Sequence, residues 1–366
     1  MNKKIVFKNL ILNIQKECAF AHSCFRPFVP SPFRAFALSC LFVLLLTGCK
    51  QRNRFAIDVN KHRVEVNINR FDKALISLDT TRMHDEVVRL YQEYPDFFPV
   101  FISNVMHLNP SDTLQVVEKL RFFLTYEDVV VTNRAVLDKF SNIRDIERSI
   151  STAFTYIRYY FPEVRLPEIY FFVSAIDRQV IMTDKFIAVG VDMYLGSDFS
   201  LYQYYIPYRY LLNSMNRENL APDLVSALLF RSFPMRSSHN RLIDNMLHRG
   251  KIMFLLSIFK PDVKDEHLIG YTTEQIRWCR RYERNIWAAI IDQKDLFSTD
   301  RFIIGEYVNE APFVNRISPD SPGRLGTWVG WQIVRSYMQR NQHATLRDLV
   351  NTTDYQQLLE NSGYRP

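Results

Sequence analysis

A run of about 11 apolar residues at positions 36–46 stops at Leu46-Thr47-Gly48-Cys49, and this junction decides what the rest of the chain must do. A bilayer-spanning helix needs roughly 20 apolar residues, so the run is too short to cross a membrane and reads as a signal segment. Small residues followed at once by a cysteine form the pattern of a bacterial lipoprotein signal. In that class the bond between Gly48 and Cys49 is cut and the cysteine carries acyl chains, palmitate among them. Residues 1–48 are then a signal peptide, 49–62 a lipidated tether, and 63–366 the folded body. Three acyl chains exceed the two signals that stable attachment needs. Roughly 35 residues precede the apolar run, with Pro27, Pro30 and Pro32 inside them, which reads as a start codon assigned too early.

The cut changes what composition means. The whole chain carries +7, a balance that invites a nucleic-acid reading. Residues 1–49 hold Lys3, Lys4, Lys8, Lys16, Arg26 and Arg34 against Glu17 alone, so the remainder keeps 40 basic and 38 acidic side chains. A near-neutral body has no electrostatic footprint for DNA or RNA. Of five cysteines, Cys18, Cys24 and Cys40 leave with the presequence and Cys49 is acylated, so Cys279 has no partner for an intrachain disulfide. Stability must come from a core, and 14% aromatic residues with only ten glycines suit a helix-rich, aromatic-packed one.

Val64, Val66 and Ile68 alternate with polar residues as a strand, and Arg70-Phe71-Asp72 opens a helix through Leu78. Positions 83–161 read as helical almost throughout. Ser111 is the expected cap of a helix with Leu114, Val117, Leu120, Phe123 and Leu124 on one side. A second helix carries Ile146, Ile150, Ile157 and Phe161 up to Pro162. Three short apolar runs at 169–173, 180–182 and 186–192, separated by polar turns, read as a β meander. Helical patterning resumes at Tyr204. One helix starts at Pro222-Asp223, another covers 240–259, and Thr272-Thr273-Glu274 begins a third that reaches Asp292. A small sheet set between helical tracts predicts one α+β domain, predominantly helical, with its strands around 169–192.

Several stretches together resemble the gliding-motility lipoprotein GldB family of Bacteroidota. They are Arg70-Phe71-Asp72, Tyr94-Pro95-Asp96-Phe97-Phe98 and Gly190-Val191-Asp192-Met193-Tyr194-Leu195-Gly196. Further on come Ile243-Asp244-Asn245-Met246, Gly250-Lys251, Gly270-Tyr271-Thr272, Trp278-Cys279, Trp287 and Phe297-Ser298-Thr299-Asp300. The series ends with Ser321-Pro322-Gly323-Arg324-Leu325-Gly326-Thr327-Trp328-Val329-Gly330-Trp331-Gln332-Ile333-Val334-Arg335-Ser336-Tyr337. The resemblance covers nearly the whole mature chain and implies a part in gliding and in the type IX secretion machinery that works with it. It extends distantly to predicted zinc peptidases, which implies a degenerate zincin-like fold.

The residues do not supply that peptidase chemistry. Its His-Glu-x-x-His motif sets two zinc-binding histidines one turn apart with a glutamate that activates water. The corresponding segment, residues 222–230, contains no histidine, and the motif occurs nowhere in the chain. His239 and His248 are nine apart, on opposite sides of a helix at about 100° per residue. Gly323-Arg324-Leu325-Gly326 lacks the Gly-Lys-Ser/Thr of a phosphate loop, and no Gly-x-Ser-x-Gly elbow is present. Gly326 and Gly330, one turn apart beside Trp328 and Trp331, instead suit close approach of a neighbouring helix. Asp192, Asp198, Asp244 and Glu283 are candidate buried carboxylates. Lys251 lies two turns after Asp244 on one helix face, and Asp192, Asp244, Lys251, Glu283 and Arg335 make a candidate polar cluster. Structural ion pairing is its first reading and a ligand site left from a peptidase ancestor its second. The run 202–210, with five tyrosines, reads as core and rim packing or as the lining of a cleft.

The sequence therefore predicts a lipid-anchored, non-enzymatic envelope protein that needs no metal or cofactor. Its partners are membrane lipid, through acylated Cys49, and proteins of the motility and secretion apparatus. Lys50 follows Cys49 where an aspartate would retain the protein in the inner membrane, and the tether lacks an acidic export cluster; both point to the outer membrane, facing the periplasm. The alternatives are a zincin-like hydrolase with a non-standard site and a periplasmic module that binds peptide or glycan.

Overall fold

The computed structural model describes residues 54–366. The apolar run, the Gly48–Cys49 junction and Lys50 lie outside the described residues. Residues 57–366 form one unit. It is a helical body around a four-stranded sheet: β1 (Ile68–Asn69), β2 (Glu168–Phe172), β3 (Val180–Met182) and β4 (Phe186–Gly190). The α+β class, predominantly helical, is the one the sequence predicts.

The strands fall where the apolar runs place them, but the pairing is not a meander. The order is β1-β2-β4-β3; β1 and β4 run parallel to β2, and β3 pairs antiparallel with β4. Burial explains the arrangement. All five residues of β4 are buried, as a strand covered on both faces requires, whereas β3 buries only Ile181 and takes the edge. The β3–β4 turn at Thr183 thus hangs outside, and β4 slots between β2 and β3. The expected strand over Val64 to Ile68 shrinks to β1. Val64 is held instead by side chains, its N–H donating to Thr155 Oγ1 at 2.9 Å and its carbonyl accepting from the Ser151 hydroxyl.

One face of the sheet carries Tyr170, Phe172, Ile181, Phe186 and Ala188 and packs against the first helices. These are α1 (Phe71–Ile76), α2 (Met83–Glu93), α3 (Phe98–Asn104) and α4 (Thr113–Thr125). Phe71, Phe97, Phe98 and Phe101 are fully buried there, with Phe97 stacked on Tyr170 at 4.8 Å and Phe71 edge-on to Phe97 at 4.9 Å. Each such ring contributes roughly 1.5–3 kcal/mol by burial. The N-cap of α4 is Asp112, not Ser111, accepting from the Gln115 N–H at 3.1 Å. Its buried stripe is Val116, Leu120 and Leu124, spaced one helical turn apart, which leaves Leu114 exposed.

Helices α5 (Glu127–Lys139) and α6 (Arg144–Tyr160) follow, the latter burying Ile146, Ile150 and Ile157 as its pattern predicts. After the sheet come a 3-10 turn (Val191–Tyr194), the short α7 (Tyr202–Tyr205) and a second 3-10 segment (Arg209–Ser214). The remaining helices are α8 (Arg217–Ser232), α9 (Leu242–Phe259), α10 (Asp265–Ile269), α11 (Thr273–Arg281), α12 (Glu283–Asp292), α13 (Arg301–Val308), α14 (Leu325–Arg340), α15 (Leu346–Asn351) and α16 (Tyr355–Ser362). Pro222 sits inside α8 rather than at its start. The helix begins five residues earlier because tertiary contacts hold its first turn: Arg217 pairs with Asp145, and Asn219 donates to the His267 carbonyl at 3.1 Å. The helix expected from Thr272 to Asp292 breaks at Tyr282, while Thr272 forms the expected cap with Gln275.

Helices α9 and α14 cross at their backbones. A Cβ on Gly330 would sit 1.9 Å from the Met246 carbonyl oxygen, and one on Gly250 would sit 2.3 Å from Gly330. Trp328 and Trp331 are buried beside this contact. The sequence foretells Gly330; its reciprocal partner, Gly250, emerges only from the fold. Among the described residues, no helix is long and apolar enough to cross a membrane.

Candidate functional site

The five residues of the predicted polar cluster are placed apart, each with its own partner. Asp192 is fully buried just past β4, where one carboxylate oxygen accepts from the Ser174 N–H (3.0 Å), the Ser174 hydroxyl (3.0 Å) and the Ile176 N–H (2.7 Å). The carboxylate ties down a turn in which Ala175 and Ile176 both have positive φ, a conformation that costs a β-branched residue most. Burial pushes its pKa up to about 6 against the pull of those three bonds. Tyr202, from the tyrosine-rich run, donates to the Asp192 carbonyl at 2.6 Å and is core; Tyr204 and Tyr208 of the same run are exposed.

Asp244, also fully buried, closes the N-terminus of α9. It accepts from the Arg241 N–H at 3.0 Å, from the Ser237 hydroxyl at 2.6 Å and from the Arg241 guanidinium at 3.0 Å. An open cleft of about 820 Å³ passes it, lined by His239, Arg241, Tyr355 and Gln356, but the carboxylate is already engaged. Lys251 does not meet Asp244. Its ammonium donates to the Thr352 carbonyl at 2.8 Å and lies 4.6 Å over the Tyr355 ring, and burial lowers its pKa to about 8. Arg335 stacks 3.9 Å over Trp331 and grips Asp265 with two bonds of 2.8 and 3.0 Å. Glu283 accepts from the Tyr364 hydroxyl at 2.8 Å. Lys251, Arg335 and Glu283 are struts between distant segments, whereas Asp192 and Asp244 fix turns and a helix end nearby.

A second buried lysine behaves alike. Lys260, at the end of α9, donates to the carbonyl (3.0 Å) and the hydroxyl of Ser149 on α6, at the wall of a cleft of about 560 Å³. Desolvation lowers its pKa to about 8, so near neutrality it is still an ammonium and a donor, not a base that could activate the serine.

A further polar group gathers around Asp223, beside the 3-10 turn that follows β4. Asp223, one residue past Pro222 on α8, keeps intermediate exposure. Its Oδ2 accepts from the Tyr194 hydroxyl at 3.0 Å and from Gln179 Nε2 at 3.1 Å, and Gln179 also donates to Tyr194 at 2.9 Å. Burial raises the Asp223 pKa to about 7, although the Tyr194 bond and the Arg324 charge pull it down. Arg324 stands at the N-cap of α14 with φ of 58°, pairs with Glu310 at 2.9 Å, and donates to the Ile269 carbonyl. Arg249 on α9 lies 6.0 Å from the Phe230 ring and shares an electrostatic neighbourhood with Arg324 and Glu310; burial and the Arg324 charge lower its pKa. Seven half-buried arginines, Arg70, Arg89, Arg217, Arg241, Arg316, Arg324 and Arg335, each have a carboxylate within ion-pair distance. Arg249 alone among the half-buried arginines of the described residues has neither an ion pair nor a hydrogen bond.

Sequence reasoning misses this group. Asp223 reads as part of a helix start, Arg324 as part of a packing turn, and Tyr194 as the middle of a Gly-flanked motif. Only the convergence of β3, the 3-10 turn, α8, α9 and α14 joins them. A titratable acid held near pH 7 beside cations is the pattern of a binding or reacting site. Among the described residues no group of three or more His, Cys, Asp or Glu side chains is placed to hold a metal.

The comparisons with known proteins agree with the earlier resemblance. A family described as gliding motility protein GldB, a lipoprotein family, matches residues 52–366. Comparison with curated proteins and with solved structures finds no match. A match over that length, through the sheet and the α9–α14 crossing, makes the assignment plain: the chain belongs to the GldB family of gliding motility proteins.

Proposed function

We propose that the protein is anchored in the envelope by lipid on Cys49 and acts there without enzymatic turnover, supporting gliding motility and the type IX secretion machinery coupled to it. The observation that carries this reading is the extent of the family match, which begins at residue 52, three residues past Cys49, and runs to the last residue. The tether thus leads at once into the family domain, and lipid is the anchor the Leu46-Thr47-Gly48-Cys49 junction supplies. The polar residues support a non-enzymatic role: Asp192, Asp244, Lys251, Glu283 and Arg335 are spent on holding segments together. Outer membrane, facing the periplasm, is the address the Lys50 position favours.

Cys49→Ala separates anchor from domain. The variant should leave the membrane fraction while keeping its helical circular dichroism, and a deletion strain carrying it should neither spread nor secrete at the wild-type level. Retention of Cys49→Ala in the outer-membrane fraction would overturn the anchor. Full spreading and secretion by a complete deletion strain would overturn the role.

A further inference from the structure

We propose that segment 57–63 and the face of α6 to which it is strapped form a basic surface that rests on anionic lipid headgroups and sets how the domain sits on the bilayer. The inference deepens the lipid-anchor reading and rests on it for which membrane is met, but its chemistry needs no acyl chain.

The case starts from the way the chain enters the domain. Val64 is clamped to α6 through Ser151 and Thr155, and two residues earlier the His62 ring meets the Tyr159 ring edge-on at 4.9 Å. The segment therefore lies along one face of the helix. At about 100° per residue that face also carries Arg144, Arg148 and Arg158, which with Ser151, Thr155 and Tyr159 fall within about 100° of one another. All three arginines are exposed, as are Lys61 and Arg63 on the strap. A cleft of about 760 Å³ joins Arg63 to Arg144 and Arg148.

Cations outnumber acids on this surface. Lys61, Arg63, Arg144, Arg148 and Arg158 stand against Asp58, Glu65 and Glu147, and the tether before Ile57 adds Lys50, Arg52 and Arg54 with no acid. Asp145, which borders the same cleft, is matched by Arg217. Asp58 caps a turn of the strap, accepting from the Asn60 and Lys61 N–H groups at 3.1 and 3.4 Å, and Glu147 accepts from the Ile68 N–H at 3.4 Å. Among the described residues none of the five cations has an ion pair. Position names the occupant. Ile57 lies eight residues past Cys49, a reach of at most roughly 29 Å, so headgroups are the anions this surface meets at the highest local concentration. Tyr159, half exposed beside these cations, adds an amphipathic ring of the kind that settles at headgroup level. The charges set orientation and the acyl chains set residence. Salt screens the charges, so without lipid the surface lets go in a salt wash, as the expected release of Cys49→Ala requires.

The test is cosedimentation of residues 50–366, which hold the whole compact unit, with vesicles of phosphatidylcholine alone or mixed with phosphatidylglycerol, at low and at high salt. The protein should bind the mixed vesicles at low salt, leave them at high salt and ignore phosphatidylcholine. Arg63→Gln, Arg148→Gln and Arg158→Gln should each weaken binding about fivefold, and the triple variant should lose it. Arg301→Gln, at an exposed cation on α13, should bind like the wild type. Equal loss in Arg301→Gln, binding that survives high salt, equal binding to phosphatidylcholine, or no binding at all overturns the surface. Heparin binding without vesicle binding assigns it to a soluble polyanion and overturns the lipid occupant. Since this protein lacks Cys49, each result is independent of whether Cys49→Ala leaves the membrane fraction.

Discussion

Gly250 and Arg249 are neighbours on α9 and face opposite physical problems. Gly250 turns into a dry crossing where two backbones touch, and no added atom fits between Gly250, Gly330 and Met246. Arg249 is half-buried, its guanidinium 6.0 Å from the Phe230 ring and without an ion pair. Helix α14 serves both regions, bringing Gly330 to the crossing and Arg324 into the field of Arg249 and Asp223. The crossing is closed by backbone packing, and it leaves Trp331 Nε1 and Thr327 Oγ1 buried without a hydrogen-bond partner. Around Arg249 the charges balance, with Arg324 paired to Glu310 and Asp223 in the field of both. Residues of the first kind should govern stability at every pH, and Asp223, which titrates near neutrality, stability that varies with pH.

Substitutions can break this contrast. Gly330→Val puts side-chain atoms where Met246 backbone already lies, so the helices must part. The expected loss is on the order of 3 kcal/mol or more, read as a collapse of the thermal midpoint. Asp192→Ala removes the acceptor of two backbone N–H groups in a positive-φ turn and should cost about 2–3 kcal/mol in equilibrium unfolding. Asp223→Asn should have a smaller effect that depends on pH. Its folded pKa, about 7, lies above the unfolded value, so the stability the acid contributes is complete below about pH 4 and lost as pH rises through 7. Asparagine has no such loss. Relative to wild type the variant should gain with pH, by no more than about 2 kcal/mol at pH 8 after screening of a half-exposed group, and the gain should vanish in acid. A flat difference across pH would contradict a raised Asp223 pKa in the folded protein.

The crossing and the polar group around Asp223 also differ in how far the sequence discloses them. Amphipathic spacing reveals α6 through Ile146, Ile150 and Ile157, and small residues one turn apart reveal the close approach at Gly330, because both signals are local. The strand runs are legible, but their pairing is not. Whether β4 lies at an edge depends on what covers its faces, and α8 packs on it from far along the chain. Pro222 misleads for the same reason: the ion pair of Arg217 with Asp145, 72 residues away, extends α8 past the point where local propensity would begin it. The polar cluster expected from Asp244, Lys251, Glu283 and Arg335 dissolves because each finds a nearer partner that no spacing announces. Lys251 finds the Thr352 carbonyl, Glu283 finds Tyr364, and Arg335 finds Asp265. The polar group around Asp223 is least legible of all, since Gln179, Tyr194, Asp223 and Arg324 come from separate segments that only the fold brings together.

The smallest expected effect on stability belongs to Arg249→Met, which removes a half-buried guanidinium without an ion pair and keeps an apolar stem against Phe230. Its equilibrium unfolding should stay within about 1 kcal/mol of wild type. The direct test of the contrast is to unfold Arg249→Met and Gly250→Val, neighbours on α9, side by side. A near-native midpoint for the first and a collapsed one for the second is the predicted result, and equal losses in both would contradict it.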